Sequence, residues 1–265
     1  MKTERVIPEE AELETQNDLV MDFAMAVGEQ LILCGVELWR AEDLLHMIFD
    51  AYEMDEASVM ILPNMLTITA RKKGRKTMTR QRNIGEAAVN LEKLTNLKRL
   101  VYGLEQDRPE PEKLMPLFRS AMNVKPYPFW ARLTGTICAL LALVYLFGGG
   151  LREGAVTVVC AVVILTAGAL LRQIRGANIM LVNAVSAFLA GTIAILAYQY
   201  LLPVNPYIVI TVSAFSLLPG IPLINSAREL MYGRTMSGSF LLLEVVVETL
   251  FIAGGYYIAI ALFGL

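Results

Sequence analysis

Glu244 and Glu248 stand four residues apart in "FLLLEVVVETLF", residues 240 to 251, and therefore share one face of a helix. A charged carboxylate placed at the centre of a bilayer costs about 2.5 kcal/mol or more, so such a pair is retained for a reason. One reason is coupling: either carboxylate can carry a proton or balance a cation. The structural alternative is that they neutralise Arg228 or another buried arginine. With helix entry near Phe240 and a rise of 1.5 Å per residue, Glu248 is expected roughly 12 Å into the core, close to its midplane.

A second constellation is "SLLPGIPLINSARELMYG", residues 216 to 233. Pro219, Gly220 and Pro222 predict a break in the helix over 219–222, followed at once by Asn225, Ser226 and Arg228. A single proline-kinked helix is the simpler reading, since neighbouring helices re-satisfy freed backbone groups in membranes. A truly discontinuous helix does more. Its second half, expected from Leu223 onward, aims N–H groups and a partial positive charge at a cavity. With the Asn225 amide and the Arg228 guanidinium, that end suits a carboxylate.

The third is "CGVELWRAEDLLHMI", residues 34 to 48, where Glu37, Arg40, Glu42 and Asp43 crowd a helix start. A cap with a solvated charged face explains them without further function. His46 is the sole histidine, and no serine or cysteine stands in a recognised nucleophile setting, so no catalytic triad is read. No phosphate-loop, dinucleotide or zinc spacing is present, and neither a metal nor a cofactor is expected. Asn183 and Ser186 read as polar glue between membrane helices, and Gly135, Gly168 and Gly191 as sites of close helix contact. Cys34, Cys138 and Cys160 lack metal or disulfide spacing and read as small buried apolar side chains.

The elements that must position these residues follow from a split in composition. Of 23 basic residues 17 lie at or before Lys125, as do 21 of 25 acidic ones. Residues 1–125 read as a soluble α+β domain, and residues 126–265 as a transmembrane domain. Five apolar segments are expected, at about 129–147, 154–171, 179–202, 206–232 with its break, and 236–264, each near the ~20 residues that cross a ~30 Å core. "NVKPYPFW" is the boundary, ending a helix with prolines and placing Tyr127, Phe129 and Trp130 at headgroup level. Basic residues Arg172, Arg175, Arg228 and Arg234 fall in alternate connections, which predicts an N-terminus inside the cell and a C-terminus outside. The polar start lacks an apolar signal region, so the first span is expected to act as the targeting signal. A net charge of −2 gives no footprint for nucleic acid.

Within the first half, helical spacing runs through Leu19, Phe23, Val27 and Leu31, and again from Leu38 to Tyr52 after a break at Gly35. "ASVMILP" and "NMLTITARKKGRKTMTRQR" alternate in polarity and read as two or three antiparallel strands, with "KKGRK" as a hairpin turn. Helices are expected at about Gly85 to Tyr102 and at Glu110 to Met122.

Two of the quoted stretches resemble motifs of one family. "CGVELWRAEDLLHMI", with Gly35, Arg40 and Glu42, resembles the opening of the cytosolic domain in the threonine/serine exporter family. "LLPGIPLINSARELMYGRTMSG" is similar to that family's membrane motif, with Ser226 where alanine is common and Glu229 where aspartate is expected. The resemblance covers nearly the whole chain and implies a cytosolic α+β domain followed by a helical bundle. Five spans resemble the larger subunit of the split form, which implies a second, small membrane subunit and a higher oligomer in the inner membrane. The substrate implied is a small carboxylate metabolite, a threonine/serine-type amino acid or a succinate-type dicarboxylate. Two other classes stand beside this: a membrane-embedded enzyme, for which no base–nucleophile pair is found, and a membrane-anchored sensor or scaffold whose soluble domain does the work.

Overall fold

The computed structural model describes residues 9–54, 56–72, 76–85, 89–125, 127–174, 178–201 and 203–264. By contact the chain divides into two units: Met1–Lys125 with Ile221–Leu242, and Pro126–Gly220 with Leu243–Leu265. The second half of the fourth apolar segment and the start of the fifth thus group with the N-terminal residues, not with the 126–265 stretch expected from composition.

In the first unit, α1 (Glu9–Leu33) and α2 (Leu38–Ala51) meet at Gly35, whose φ of +83° is a left-handed turn that glycine adopts without strain. A three-stranded antiparallel sheet follows in the order β1 (Glu56–Leu62), β2 (Met65–Arg71), β3 (Met78–Asn83). Ser58 pairs with Thr69 and Thr67 with Gln81, which turns Leu66, Ile68 and Ala70 to one buried face. Arg80 on β3 pairs with Asp18, at 2.6 Å, and with Asp22 on α1, and Arg82 pairs with Glu29 at 2.7 Å. The core runs through Phe23, Leu31, Leu45, Phe49, Leu66 and Leu97.

α3 (Leu91–Asp107) starts later than the expected Gly85, because the Asn90 side chain accepts from the Lys93 N–H at 3.0 Å and fixes the helix start there. Of the "KKGRK" turn, residues 72–76, positions 73–75 lie outside the described residues. α4 (Pro111–Met122) opens on proline, tolerated in a first turn whose N–H groups lack partners anyway. Tyr52 ties the end of α2 to the α3–α4 connection by donating to Pro109 O at 2.7 Å, and burial pushes its phenol up to about 12.

In the second unit, α5 (Phe129–Leu146), α6 (Leu151–Leu171) and α7 (Ile179–Leu196) are each long and apolar enough to cross a membrane. α6 begins at Leu151, earlier than expected. Glu153 accounts for it: one carboxylate oxygen accepts from the Gly150 N–H at 2.9 Å, capping the first turn, and the other from the Asn205 N–H at 3.0 Å. α7 passes into a π-helical turn, Ala197–Leu201. α8 (Pro206–Phe215) is capped by Asn205 and ends at Ser216.

The fourth segment is interrupted, but at Ser216–Pro219 and not at 219–222. α9 (Gly220–Met231) already includes Pro222. That proline lies in the first turn, where no intrahelical N–H bond is lost, so it starts the helix instead of breaking it. α10 (Thr235–Phe263) belongs to the first unit up to Leu242 and to the second from Leu243. Among the described residues four helices are long and apolar enough to cross a membrane, and a fifth span is counted if α8 and α9 form one.

Small residues set the packing of the second unit. A Cβ at Gly191 would lie 3.0 Å from Ala259 and Tyr256, while one at Gly255 would run into the Ala184 carbonyl oxygen and lie 3.0 Å from Ala187 Cβ. Gly135 and Gly168, expected to do the same, have open space beside them. Cys34 and Cys160 are buried, whereas Cys138 is exposed on α5, contrary to the expectation for it. Its neighbours on the outside, such as Tyr145 and Leu146, are large and apolar, as lipid contact requires.

Candidate functional site

In the first unit the two quoted motifs meet. Asn225 of α9 donates from Nδ2 to the Gly35 carbonyl oxygen at 3.2 Å. Arg228 pairs with Glu37, and Arg234, just beyond α9, pairs with Glu42. Between these contacts lies Glu229, with no exposed surface, whose Oε1 accepts from the Trp39 backbone N–H at 3.0 Å. Trp39 is the second residue of α2, so Glu229 caps that helix from another element, and its charge faces the positive end of the helix. Trp39 also stacks on Tyr232, with ring centroids 4.9 Å apart. Glu37 and Glu42 are thus engaged by arginines, Glu37 making no side-chain cap bond of its own, while Asp43 stays exposed.

These contacts occupy the polar groups assigned above to a substrate. Ser226 is buried and returns its hydroxyl to Leu223 O at 2.8 Å. Pro219 closes the break, and Gly220 and Pro222 lie in the first turn of α9. Arg40 lies over the Trp39 ring, 5.1 Å from its centroid, and lines a cavity of about 750 Å³ with Glu37, Arg228 and Tyr232.

The second unit holds a cavity of about 360 Å³ whose wall includes Arg132, Arg172, Asn183, Ser186, Ser216 and Glu248. That volume lies within the range of small-molecule sites, and two guanidinium groups against one carboxylate favour an anion. Each residue reaches it through its place on a helix. Arg132 is in the first turn of α5, Arg172 caps the end of α6, Asn183 and Ser186 lie in the first half of α7, and Ser216 ends α8. Two helix starts, of α5 and α7, and two helix ends, of α6 and α8, come together here, with Glu248 reaching the cavity from the middle of α10. Asn183 donates from Nδ2 to Glu248 Oε1 at 2.6 Å, and Ser186 bonds back to Val182 O at 2.8 Å. Glu244 shares the α10 helix but its side chain is exposed and does not line the cavity.

Asn183 and Ser186 thus line a cavity rather than only gluing helices, and Arg132 and Arg172 enter it without having been singled out for a site. A signal was present: these are charged side chains at the same end of an apolar bundle, counted by alternating direction.

The family model of the threonine/serine exporters, ThrE, matches residues 22–263. The chain is 23% identical over 256 residues to a threonine/serine exporter of Corynebacterium glutamicum, covering 92% of this chain and 51% of that protein, so it spans about half the length of that relative. It is 25% identical over 255 residues to the probable succinate transporter subunit YjjP of Escherichia coli, covering 94% of this chain and 97% of the relative. A YjjP of Klebsiella aerogenes is 26% identical over 215 residues, covering 78% and 80%. No solved structure matches the chain. With the family model extending over nearly all its residues, the chain belongs to the threonine/serine exporter family.

Proposed function

We propose that this protein is a membrane-embedded subunit of a secondary transporter that exports a small carboxylate metabolite, and that the cavity of Arg132, Arg172, Asn183 and Glu248 receives it. The observation that carries this reading is the convergence of two arginines on one cavity at one end of an apolar bundle. A guanidinium–carboxylate contact contributes about 1.5–3 kcal/mol. The substrate is an amino acid of the threonine/serine type or a dicarboxylate of the succinate type, following the names its relatives carry.

The protein works with a second small membrane subunit, within a higher oligomer. Two features support this: one relative is named a subunit, and another is about twice as long as the stretch matched here. The N-terminal residues lie in the cytoplasm and the spans in the inner membrane, as the basic residues of alternate connections favour. From Leu243 to Phe263 α10 measures about 31 Å, enough for the hydrocarbon core by itself. Entry at Leu243 puts Glu244 at the boundary and Glu248 about 8 Å inside, shallower than the midplane. Glu248 is the residue that couples export to protons or balances charge.

Efflux from vesicles holding this chain and its partner subunit tests the reading. Arg132→Ala and Arg172→Ala are each expected to weaken apparent substrate affinity by roughly thirtyfold, the equivalent of about 2 kcal/mol. Efflux at the parental rate and affinity in both variants would remove the cavity from the transport path.

A further inference from the structure

We infer that the buried hydrogen bond between Tyr256 and Ser213 is the latch of a dry gate that closes the cavity of the second unit on its inner side, with Tyr256 as a positioning residue of export. The inference rests on that cavity being the transport site. Glu248, Ile252 and Tyr256 follow at four-residue steps along one face of α10, and Asn183, Ala187, Ala190 and Ala194 along one face of α7. The first member of each series lines the cavity, and the later ones belong to one apolar cluster. Ile164 and Leu217 take part in both. From there the cluster reaches the opposite helix ends: Val156 lies near the start of α6, Ala194 near the end of α7, and Val204 just before α8. A solute leaving the cavity toward those ends has to part this cluster.

Tyr256 stands where the helices come closest. A Cβ at Gly191 would lie 3.0 Å from its ring, so the ring packs on the α7 backbone. Its hydroxyl reaches α8, 2.9 Å from Ser213 Oγ. The one proton of the Ser213 hydroxyl is committed to Ile210 O at 3.0 Å, so Tyr256 is the donor. Both side chains are buried. One turn on, Ser216 lines the cavity and donates from its hydroxyl to Ser213 O at 2.7 Å, which joins the latch to the cavity wall. Apolar contacts in the cluster have little direction, whereas a hydrogen bond in a dry site holds one geometry. The closed arrangement also carries a penalty. One turn before Cys160 the buried Thr157 hydroxyl has no partner among the described residues, which disfavours a dry cluster and leaves the latch to offset it.

The test uses the full chain with Cys34→Ala and Cys138→Ser, which leaves Cys160, buried in the cluster, as the single cysteine. A negatively charged methanethiosulfonate, supplied on both faces of vesicles holding the chain and its partner subunit, reports water entering the cluster. Downhill efflux of succinate and of threonine is measured in the same vesicles. Tyr256→Phe and Ser213→Ala are each expected to raise Cys160 labelling and efflux about fivefold, the change in an opening equilibrium that loss of one hydrogen bond gives, with KM within about twofold. The double variant is expected to exceed neither single one, because both remove the same bond. A side chain that served packing alone would lower efflux when cut back. Three results would overturn the inference: labelling unchanged in both single variants, labelling raised without a rise in efflux, or effects that multiply in the double variant. Parental affinity and rate in both Arg132→Ala and Arg172→Ala would instead remove the transport-site reading, while Cys160 labelling still decides whether the bond holds the cluster shut.

Discussion

The Asn183 amide and the Glu248 carboxylate lie 2.6 Å apart, joining the first half of α7 to α10 within the wall of one cavity. The Asn183 Nδ2 donates to Glu248 Oε1, which fixes the carboxylate against the cavity wall. Glu248→Gln retains size and an acceptor oxygen but removes the exchangeable charge. Gradient-driven export is expected to fall at least about tenfold, with substrate affinity within about threefold of the parent. Glu244→Gln, outside the cavity, is expected to leave export within about twofold. Rates measured with and without an imposed pH gradient check both, and equal gradient dependence in parent and Glu248→Gln would take Glu248 out of the coupling role.

Gly35→Ala is expected to destabilise the first unit by about 1–3 kcal/mol, because alanine at φ +83° is strained and its Cβ would lie 3.1 Å from Val89. The Gly35 carbonyl that receives Asn225 would be displaced with it. A thermal melt of the purified full chain, showing a lowered midpoint, is the check; an unchanged midpoint would mean the turn relaxes freely.

Two adjacent glycines on α10 are expected to behave in opposite ways. A methyl group at Gly255 would meet the Ala184 carbonyl, a backbone atom that cannot step aside, so Gly255→Ala should cost about 1–3 kcal/mol. At Gly254 nothing lies within 4 Å, and alanine there should be neutral or slightly stabilising for the helix. Comparing the melting midpoints of the two variants in the same detergent decides the matter.

Thiol labelling separates the three cysteines. Cys34 and Cys160 are buried, and burial also pushes the Cys34 thiol up, away from its reactive form. Both are expected to resist maleimides in native membranes. Cys138 is exposed among apolar neighbours and should react with a membrane-permeant reagent and not with a charged one. Labelling of Cys138 by the charged reagent would place that part of α5 in water.

Two helices were legible for different reasons: α5 (Phe129–Leu146) from its apolar run and α4 (Pro111–Met122) from the proline at its start. Ends set by a single side chain were harder to place. Asn90 delays α3, Glu153 advances α6, and Pro222 is accepted inside α9 because a first turn has no hydrogen bond to lose. What sequence could not disclose was partnership across long separations. Arg228 carries the same charge whether it meets a substrate or Glu37, and Arg172 the same whether it marks a loop or lines a cavity. Only the tertiary arrangement distinguishes these cases.

Glu37 and Arg228 are 191 positions apart in the chain, and Glu42 and Arg234 are 192 apart, yet each pair is a single ionic contact. A change of sign at one sets two like charges against each other, so relatives of this chain are expected to exchange these charges in matched pairs across nearly two hundred positions.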